Sequence, residues 1–212
     1  MKVRDIMSQN VVTISSNTSI AAAKRIMAAH HIRRLPVVDK GKLTGLVTER
    51  GLEKVSPSKA TSLSVWELSY LLEKTTVKDI MEKSVITVSP DMDAEEAIAV
   101  AQASKVGSLI VLEDNMIAGI VTTNDFFYKI INPLLGIGMQ GSRIEVKEAG
   151  DGPSIESILS EINKEGLKVS SIHIEQEGKP RNDVCFHIDT SDPGRLLMAL
   201  KAKGFNAVIR KR

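Results

Sequence analysis

The sequence predicts an α+β protein in which two copies of a β-α-β-β-α unit pack as a pseudo-symmetric pair, followed by a unit of βαββαβ order. Two observations support the duplication. Residues 3–52 align without a gap with residues 77–126 when the chain is shifted by 74 positions. Apolar runs and helical periodicities also follow in the same order in both copies, whereas residues 142–212 show a different order.

The repeat is clearest at its strands and at the start of each copy. Residues 3–7 match residues 77–81, and residues 11–15 match residues 85–89. Five positions between these segments and the strand ends are identical in the two copies: Leu35, Val37, Gly45, Val47 and Thr48 fall on Leu109, Val111, Gly119, Val121 and Thr122. Neither copy has enough apolar residues for a core of its own, so we expect the two to pack sheet to sheet.

Each element of the unit has its own signal. In the first copy we expect a short strand at residues 11–14 and a helix at residues 20–30, with Ser19 as its N-cap. Strands at residues 35–38 and 43–48 flank a turn at Lys40-Gly41, and a second helix follows. In the second copy, Asp93 and Glu96 have the spacing of a capping box.

A connector separates the copies. Ser56-Pro57-Ser58-Lys59 breaks the pattern, and the capping-box pair Ser64 and Glu67 begins a helix that holds Trp66, the single tryptophan. The apolar stripe of this helix is Val65, Leu68, Leu71 and Leu72. We expect it to pack on the repeat pair, the alternative being a dimer contact. The predicted domains are residues 1–56, a connector at 57–75 and residues 76–132.

Residues 133–141 predict a linker, because they are rich in glycine. Gly136, Gly138 and Gly141 have the G-x-G-x-x-G spacing of a dinucleotide-binding turn. That motif needs a preceding strand and a following helix. The pattern here predicts the reverse order, which argues against a dinucleotide site.

The third unit, residues 142–212, predicts a ferredoxin-like βαββαβ order. Its expected elements are a strand at 143–147, a helix at 153–165, strands at 169–177 and 184–188, a helix from Asp192-Pro193 and a strand at 205–209. Gly166 should end the first helix, and Gly178-Lys179-Pro180 should form the turn between the middle strands. Alternation in the second strand predicts that Ile172 and Ile174 face inward.

Composition narrows the function classes. The chain is 42% hydrophobic and 25% charged, which is ordinary for a soluble globular protein. A net charge of +2 argues against nucleic acid or an anionic membrane as a partner. The single cysteine, Cys185, cannot form an internal disulfide, and the N-terminus lacks the apolar core of a signal peptide. We therefore expect a cytoplasmic protein with no membrane segment.

The strand end of the second copy carries the clearest candidate chemistry. Thr122 ends the strand, and Asp125 follows at the start of a helix. A carboxylate can accept hydrogen bonds from both hydroxyls of a ribose, and a threonine hydroxyl beside a helix N-terminus can meet a phosphate. The first copy has Gly51 in place of the aspartate. The alternative is that Asp125 is only the N-cap of its helix.

The repeat resembles a tandem CBS-domain pair, often called a Bateman module. The match lies in residues 77–81, 87–91 and 35–39 and in the strand ends at 45–48 and 119–125. The C-terminal unit resembles an ACT domain, and the order of the three resembles the acetoin-utilisation regulatory (AcuB-like) family. The resemblance implies an adenosine nucleotide in a cleft between the two CBS units, where each site combines residues of both.

Carried over to this sequence, the resemblance implies two unequal nucleotide sites. The main site would comprise Asp125, Thr122, Ile120, Arg33, Arg34, Ile32, Pro36, Val11 and Val12. The second would comprise Thr48, Arg50, Val85, Ile86, Val106, Gly107 and Ser108. The two arginines suit a phosphate, although an arginine pair is also common as solvated surface charge. The second site lacks both the aspartate and the arginine pair, so we expect it to be weak, altered or empty.

The resemblance, with these residues, implies a non-catalytic sensor of AMP, ADP or ATP that forms a homodimer and acts on a protein partner or through the ACT unit. The nucleotide would be a regulatory ligand and not a catalytic cofactor. One alternative is an amino-acid sensor or a dimerising ACT protein with the CBS pair as scaffold, although Gly150-Asp151-Gly152-Pro153 departs from the usual ACT loop. A second is an S-adenosylmethionine sensor, against which the arginine pair argues.

An enzyme is the third alternative, and the lack of a recognisable catalytic constellation argues against it. Cys185 and His187 share a strand face, but no second ligand pair accompanies them in the sequence. We therefore predict no metal site.

Overall fold

A computed structural model describes residues 1–55, 64–175 and 182–210 of the 212-residue chain. The chain forms two compact units, Met1–Phe126 and Phe127–Arg212, and both copies of the repeat lie in the first. Among the described residues, no helix has the length and apolar character needed to cross a bilayer. The predicted break at residues 56–59 and the predicted turn at residues 178–180 lie outside the described residues.

The first copy has the predicted hairpin and its two predicted helices, and it begins with a short helix that was not predicted. Its elements are α1 (Val3–Ile6), α2 (Ile20–His30), β1 (Arg34–Asp39), β2 (Lys42–Thr48) and α3 (Glu49–Lys54). Strands β1 and β2 are antiparallel, and both turn residues, Lys40 and Gly41, have positive φ, as a tight hairpin turn requires. Helix α2 has its predicted bounds, and Ser19 Oγ accepts a hydrogen bond from the backbone N–H of Ala22 at 3.2 Å.

The strand predicted at residues 11–14 is reduced to one residue. Ile14 pairs with β1: its N–H donates to Pro36 O at 3.1 Å, and its carbonyl accepts from Val38 N–H at 2.8 Å. Residues 11–13 belong to no strand. Val11 and Val12 instead stay half-buried beside the sheet, so the prediction is wrong for them.

The second copy repeats this plan after the connector helix. The connector helix is α4 (Val65–Lys74), and the elements of the second copy are a 3₁₀ turn (Val77–Asp79), β3 (Thr87–Val88), α5 (Ala94–Ala103), β4 (Ser108–Glu113), β5 (Met116–Thr122) and α6 (Thr123–Phe126). Strand β3 is parallel to β4, and β4 is antiparallel to β5. Asp93 precedes α5 but does not cap it with its side chain. Its carboxylate lies 3.0 Å from Lys2 Nζ, so the predicted capping box does not form.

The connector helix α4 begins with the predicted capping box. Ser64 N–H donates to Glu67 Oε2 at 2.8 Å, and Ser64 Oγ accepts from Glu67 N–H at 3.3 Å. Leu72 packs against the core of the first copy, which confirms that α4 packs on the repeat pair. Leu71 is 46% exposed, so the predicted apolar stripe is only partly covered, and Trp66, outside that stripe, is 85% exposed. The side chains of Val65 and Leu68 lie outside the described part.

The two copies exchange their N-terminal segments. Ser8 pairs with Ile120 of β5 through two backbone hydrogen bonds of 2.9 and 3.0 Å. At the equivalent place, Glu82 pairs with Leu46 of β2 through two bonds of 2.9 Å. Each copy thus adds backbone hydrogen bonds to a strand of the other copy. These bonds fix the orientation of the two strand ends relative to each other.

Two glycines permit this close approach. A Cβ at Gly119 would lie 2.6 Å from Met7 Sδ, and a Cβ at Gly45 would lie 2.6 Å from Met81 Sδ. Both distances are far below van der Waals contact, so a side chain at either position would displace a methionine. The glycines that mark the two strand motifs are therefore explained by the contact between the copies.

The C-terminal unit has the predicted ferredoxin-like order. Its elements are a π-helical turn (Phe127–Ile131), α7 (Asn132–Leu134), β6 (Ser142–Val146), α8 (Gly152–Lys164), β7 (Val169–Glu175), β8 (Asp183–Ile188), α9 (Gly194–Ala202) and β9 (Ala207–Ile209). The sheet order is β7-β8-β6-β9 with all neighbours antiparallel. Helix α7 precedes the glycine-rich segment and β6 follows it, opposite to the arrangement that a dinucleotide-binding turn needs.

The inward orientation predicted for Ile172 and Ile174 is not matched by burial. They pair with the core residues Phe186 and Val184, so they lie on the core face of the sheet. They nevertheless remain 38% and 43% exposed, because β7 is an edge strand.

Candidate functional site

The two strand ends of the repeat pair meet at one open cavity of about 730 Å³. It lies within the first unit, where β2 passes into α3 and β5 passes into α6. Residues of both copies line it: Ser8, Asn10, Val11, Val12, His31, Ile32, Arg33, Arg34, Thr48, Glu49, Arg50, Ile120, Thr122, Thr123, Asn124 and Asp125. Three arginines face two carboxylates in this set, so the cavity has an excess of positive charge.

Asp125 is held in place by Thr122. Its Oδ2 accepts hydrogen bonds from the Thr122 backbone N–H at 2.9 Å and from Thr122 Oγ1 at 2.8 Å. Asp125 lies in the first turn of α6, so it does not precede the helix as an N-cap. It accepts from the residue before the helix, the role of the acidic residue in a capping box. At the equivalent place, Gly51 N–H donates to Thr48 Oγ1 at 3.1 Å, and no carboxylate is present.

The two adjacent arginines have different surroundings. Arg33 is exposed, and its Nε lies 3.5 Å from Glu49 Oε2. Arg34 is half-buried, and among the described residues no carboxylate lies within 4.0 Å of its guanidinium. Burial and then the charge of Arg33 lower the pKa of Arg34, while the charge of Glu82 raises it to a smaller extent. A bound anion would stabilise the charged form of Arg34, because this cation is partly desolvated and lies beside a like charge.

The structure brings together all but one of the residues predicted for the main site. The exception is Pro36, which is buried in β1 and accepts the hydrogen bond from Ile14 through its carbonyl. Val11, Val12, Ile32 and Ile120 provide the apolar part of the lining.

The residues predicted for a second site are divided. Thr48 and Arg50 line the same cavity as the main set, because the two strand ends converge. Val85 lines a separate cavity of about 460 Å³ with Thr44 and Lys83 among its other residues. The linings of these two cavities, both within the described part of the chain, do not include Ile86, Val106, Gly107 or Ser108. These two cavities therefore bring together only part of this set.

Several lining residues were missed by the sequence reasoning. Ser8 and Asn10 lie on the N-terminal segment that crosses to β5, a contact that repeat alignment alone does not show. His31 adopts a left-handed conformation at the end of α2, with φ of 53°. Glu49 and Thr123 directly follow predicted site residues, so proximity in sequence was an available signal.

A second candidate cavity, of about 540 Å³, lies in the C-terminal unit at the start of α8. It is lined by Lys147, Glu148, Ser154, Asp183, Lys203, Gly204, Phe205 and Asn206. Hydrogen bonds to Asp183 (2.9 Å) and Glu145 (3.0 Å) raise the pKa of Lys147. Lys203 Nζ lies 2.7 Å from Glu161 Oε1. Protein carboxylates already balance both lysines, which makes this cavity less suited to an anion than the first.

The loop before α8 serves the helix itself. Asp151 Oδ1 accepts from Ser154 N–H at 2.9 Å, and Asp151 Oδ2 accepts from Ser154 Oγ at 2.8 Å. Cys185 and His187 are both buried in β8, and His187 Nδ1 lies 2.5 Å from Ser170 Oγ. Within the described ranges, no three His, Cys, Asp or Glu residues are grouped closely enough to hold a metal ion.

Comparison with known proteins identifies a family model and solved structures that are similar to the repeat. A model of the CBS domain matches residues 3–57 and 77–132. The crystal structure of a Vibrio cholerae protein assigned to acetoin utilization (AcuB) is 30% identical, with a TM-score of 0.53 over 65% of this chain and 94% of that chain. The CBS domain pair of protein MJ0100, solved in complex with 5′-methylthioadenosine and S-adenosyl-L-methionine, is 30% identical, with a TM-score of 0.50 over 64% of this chain and 96% of that chain.

Curated relatives include much longer enzymes. The inosine-5′-monophosphate dehydrogenase of Korarchaeum cryptofilum is 34% identical over 128 residues, which is 59% of this chain and 23% of the enzyme. The chain thus spans about a quarter of the length of the first curated relatives it matches.

Proposed function

The chain belongs to the CBS domain family, and on that premise we propose that it is a non-catalytic regulatory protein that binds AMP, ADP or ATP in the cavity between its two repeats. The observation that carries the proposal is the placement of Asp125 and Arg34, from different copies, in the lining of one cavity. A carboxylate on one side and a guanidinium on the other match the ribose and the phosphate of a nucleotide.

The geometry of Asp125 supports a role in holding the ribose. A carboxylate can accept hydrogen bonds from both hydroxyls of a ribose, and the two hydrogen bonds from Thr122 fix the orientation of Asp125. The apolar lining residues, Val11, Ile32 and Ile120 among them, can enclose the base.

The charge of the cavity supports a phosphorylated ligand. Arg34 is half-buried and has no close carboxylate among the described residues, while Arg33 has only an exposed partner in Glu49. Exposed pairs of this kind contribute about 0–1 kcal/mol, so a phosphate can replace Glu49 at Arg33 at little cost. Guanidinium groups bind phosphate oxygens through paired hydrogen bonds, which favours a nucleotide over adenosine.

S-adenosylmethionine is the second candidate, because the similar CBS pair of MJ0100 was solved with that compound and with 5′-methylthioadenosine. The excess of arginines argues against it, since its sulfonium is cationic and it carries no phosphate. Tighter binding of S-adenosylmethionine than of AMP, ADP and ATP would select it.

We further propose that nucleotide binding shifts the relative placement of the two repeats, and that a partner protein or the C-terminal unit responds to the shift. The same proposal includes an ACT-type role for the C-terminal unit, a cytoplasmic location and a homodimer. An amino acid that stabilises the protein where no nucleotide does would select the alternative of an amino-acid sensor.

Asp125→Asn tests the site. The amide oxygen can still accept from Thr122, but the charge and one acceptor group are lost, so the helix start is retained and the ribose contact is weakened. Hydrogen bonds to charged groups contribute about 1.5–3 kcal/mol each, so we expect nucleotide affinity to fall about 10- to 100-fold. Isothermal titration calorimetry with AMP, ADP, ATP, adenosine and S-adenosylmethionine measures this.

Asp79→Asn is the matched control, since Asp79 is an exposed carboxylate outside the cavity lining that accepts from a nearby threonine, Thr76, at 3.2 Å. It should leave affinity unchanged. If Asp125→Asn binds nucleotide as tightly as the parent protein, the ribose assignment fails.

A further inference from the structure

Arg34 extends from the first repeat to the backbone of the second. A Cβ built on Gly107 would lie 2.7 Å from Arg34 Nη2 and 3.8 Å from Arg34 Cζ. The guanidinium therefore lies directly against Gly107, which precedes β4. Arg34 lines the main cavity, whereas Gly107 is not among its lining residues.

Gly107 also contacts the strand end of its own repeat. Its carbonyl accepts hydrogen bonds from the Thr123 backbone N–H at 3.2 Å and from Thr123 Oγ1 at 3.3 Å. Thr123 directly follows Thr122 and lines the cavity. Arg34 is therefore placed beside the segment that holds Asp125.

The equivalent position of the first repeat carries a large side chain. Position 107 corresponds to Arg33 under the shift of 74 residues, and position 108 corresponds to Arg34. The φ angle of Gly107 lies outside the left-handed range, so its backbone conformation suits any L-residue. What the glycine provides is space for the guanidinium that comes from the other copy.

We infer that Gly107 is a positioning residue of the main cavity: its lack of a side chain lets the Arg34 guanidinium lie at the junction of the two repeats, where it binds the phosphate of the ligand. The inference rests on the proposed nucleotide site. It adds the reason why Arg34 of the first copy can lie against the backbone of the second. Ser108, the residue equivalent to Arg34, is buried. Its side chain is short and has no guanidinium, so it cannot make the same contact.

Gly107→Ala tests the inference, because its new Cβ would force the end of the Arg34 side chain to move without changing any charge. We expect AMP affinity to fall about tenfold, the lower end of the loss of a charged hydrogen-bonded contact. Adenosine affinity should stay within about twofold, since adenosine carries no phosphate for Arg34 to bind. Calorimetric titrations with AMP, adenosine and inorganic pyrophosphate give the three affinities.

Arg34→Ala should produce the same phosphate-selective loss. In the double variant, Gly107→Ala should cause no further loss of affinity, because the effects of two substitutions that act through one group are not additive. Gly152→Ala is the matched control: nothing lies within 4 Å of a Cβ there, and we expect all three affinities to stay at the parent level. Far-UV circular dichroism of every variant checks that the fold is retained.

The outcomes separate this inference from the proposed function. If Gly107→Ala weakens AMP and adenosine equally, or adds its full effect to that of Arg34→Ala, the positioning role is overturned. If the parent binds AMP and Gly107→Ala binds it equally well, the inference fails and the proposed function stands. A parent that binds pyrophosphate in a Gly107-dependent way, without preferring adenine nucleotides, supports the inference and contradicts the proposed function. A parent that binds none of the probes overturns both.

Discussion

Replacing Gly119 by alanine should weaken the contact between the two repeats. The new Cβ would lie 2.6 Å from Met7 Sδ, 2.9 Å from Met7 Cγ and 3.0 Å from Ser8 O. Met7 can rotate away, but Ser8 O is a backbone atom held by the hydrogen bond from Ile120 N–H at 3.0 Å. The segment must therefore shift as a whole, and overpacking of this kind costs about 1–3 kcal/mol.

The cost can be measured as a change in the thermal unfolding midpoint. For a chain of 150–250 residues, each kcal/mol corresponds to about 2–4 °C, so we expect a decrease on the order of 2–12 °C. Gly45→Ala should give a similar decrease, because its Cβ would lie 2.6 Å from Met81 Sδ and 3.1 Å from Glu82 O. Differential scanning calorimetry is the assay, with Gly152→Ala as the control in open space.

Two results would refute this reasoning. An unchanged unfolding midpoint for Gly119→Ala would mean that the N-terminal segment does not pack on β5 as described. Full recovery on adding Met7→Ala would mean that the methionine alone causes the strain and that the Ser8 backbone does not contribute, since that variant removes the contacts with Sδ and Cγ but not the one with Ser8 O.

Two further predictions concern stability. Hydrogen bonds from Lys164 and then Lys203 lower the pKa of Glu161, so the ionised carboxylate stabilises the native state above its unfolded pKa, and this contribution is lost as pH falls through the lowered folded value. Glu161→Gln should therefore lower the unfolding midpoint at neutral pH, and the difference from the parent should shrink below about pH 4.3; a pH-independent difference would contradict the assignment. Ser64→Ala removes the N-cap of α4 and should cost about 1 kcal/mol in urea denaturation, whereas Ser64→Asp should retain the cap; equal stability of the parent and the alanine variant would contradict the capping role.

Much of the fold follows from local rules that act within a few residues. Helix α2 begins after Ser19 and ends at His30 as predicted, because an N-cap and a helical apolar stripe are read directly from the sequence. The failures concern long-range competition. Asp93 has the spacing of a cap but pairs with Lys2 from the start of the chain. Ile172 alternates like a buried residue but lies on an edge strand, a position that no local pattern encodes.

The candidate site could likewise be predicted only in part. The resemblance to tandem CBS domains implies that Asp125 and Arg34 lie at one site, because sites of that family combine the strand end of one copy with residues of the other, and both residues line one cavity. It does not predict the direction of a long side chain, and so it misses the contact of Arg34 with Gly107. Nor does it show that Arg50 faces the same cavity as Asp125, since this depends on the angle at which the copies pack.

The exchange of N-terminal segments also has a consequence for synthesis on the ribosome. Ser8 is made well before its partner Ile120, which follows only when most of the second repeat is complete. At about 5–20 residues per second, the interval is on the order of ten seconds. During this time β1 and β2 can form their hairpin, but Met7 has no Gly119 to pack against. The first repeat therefore completes its fold only after translation of the second, and the nascent chain exposes apolar surface in between.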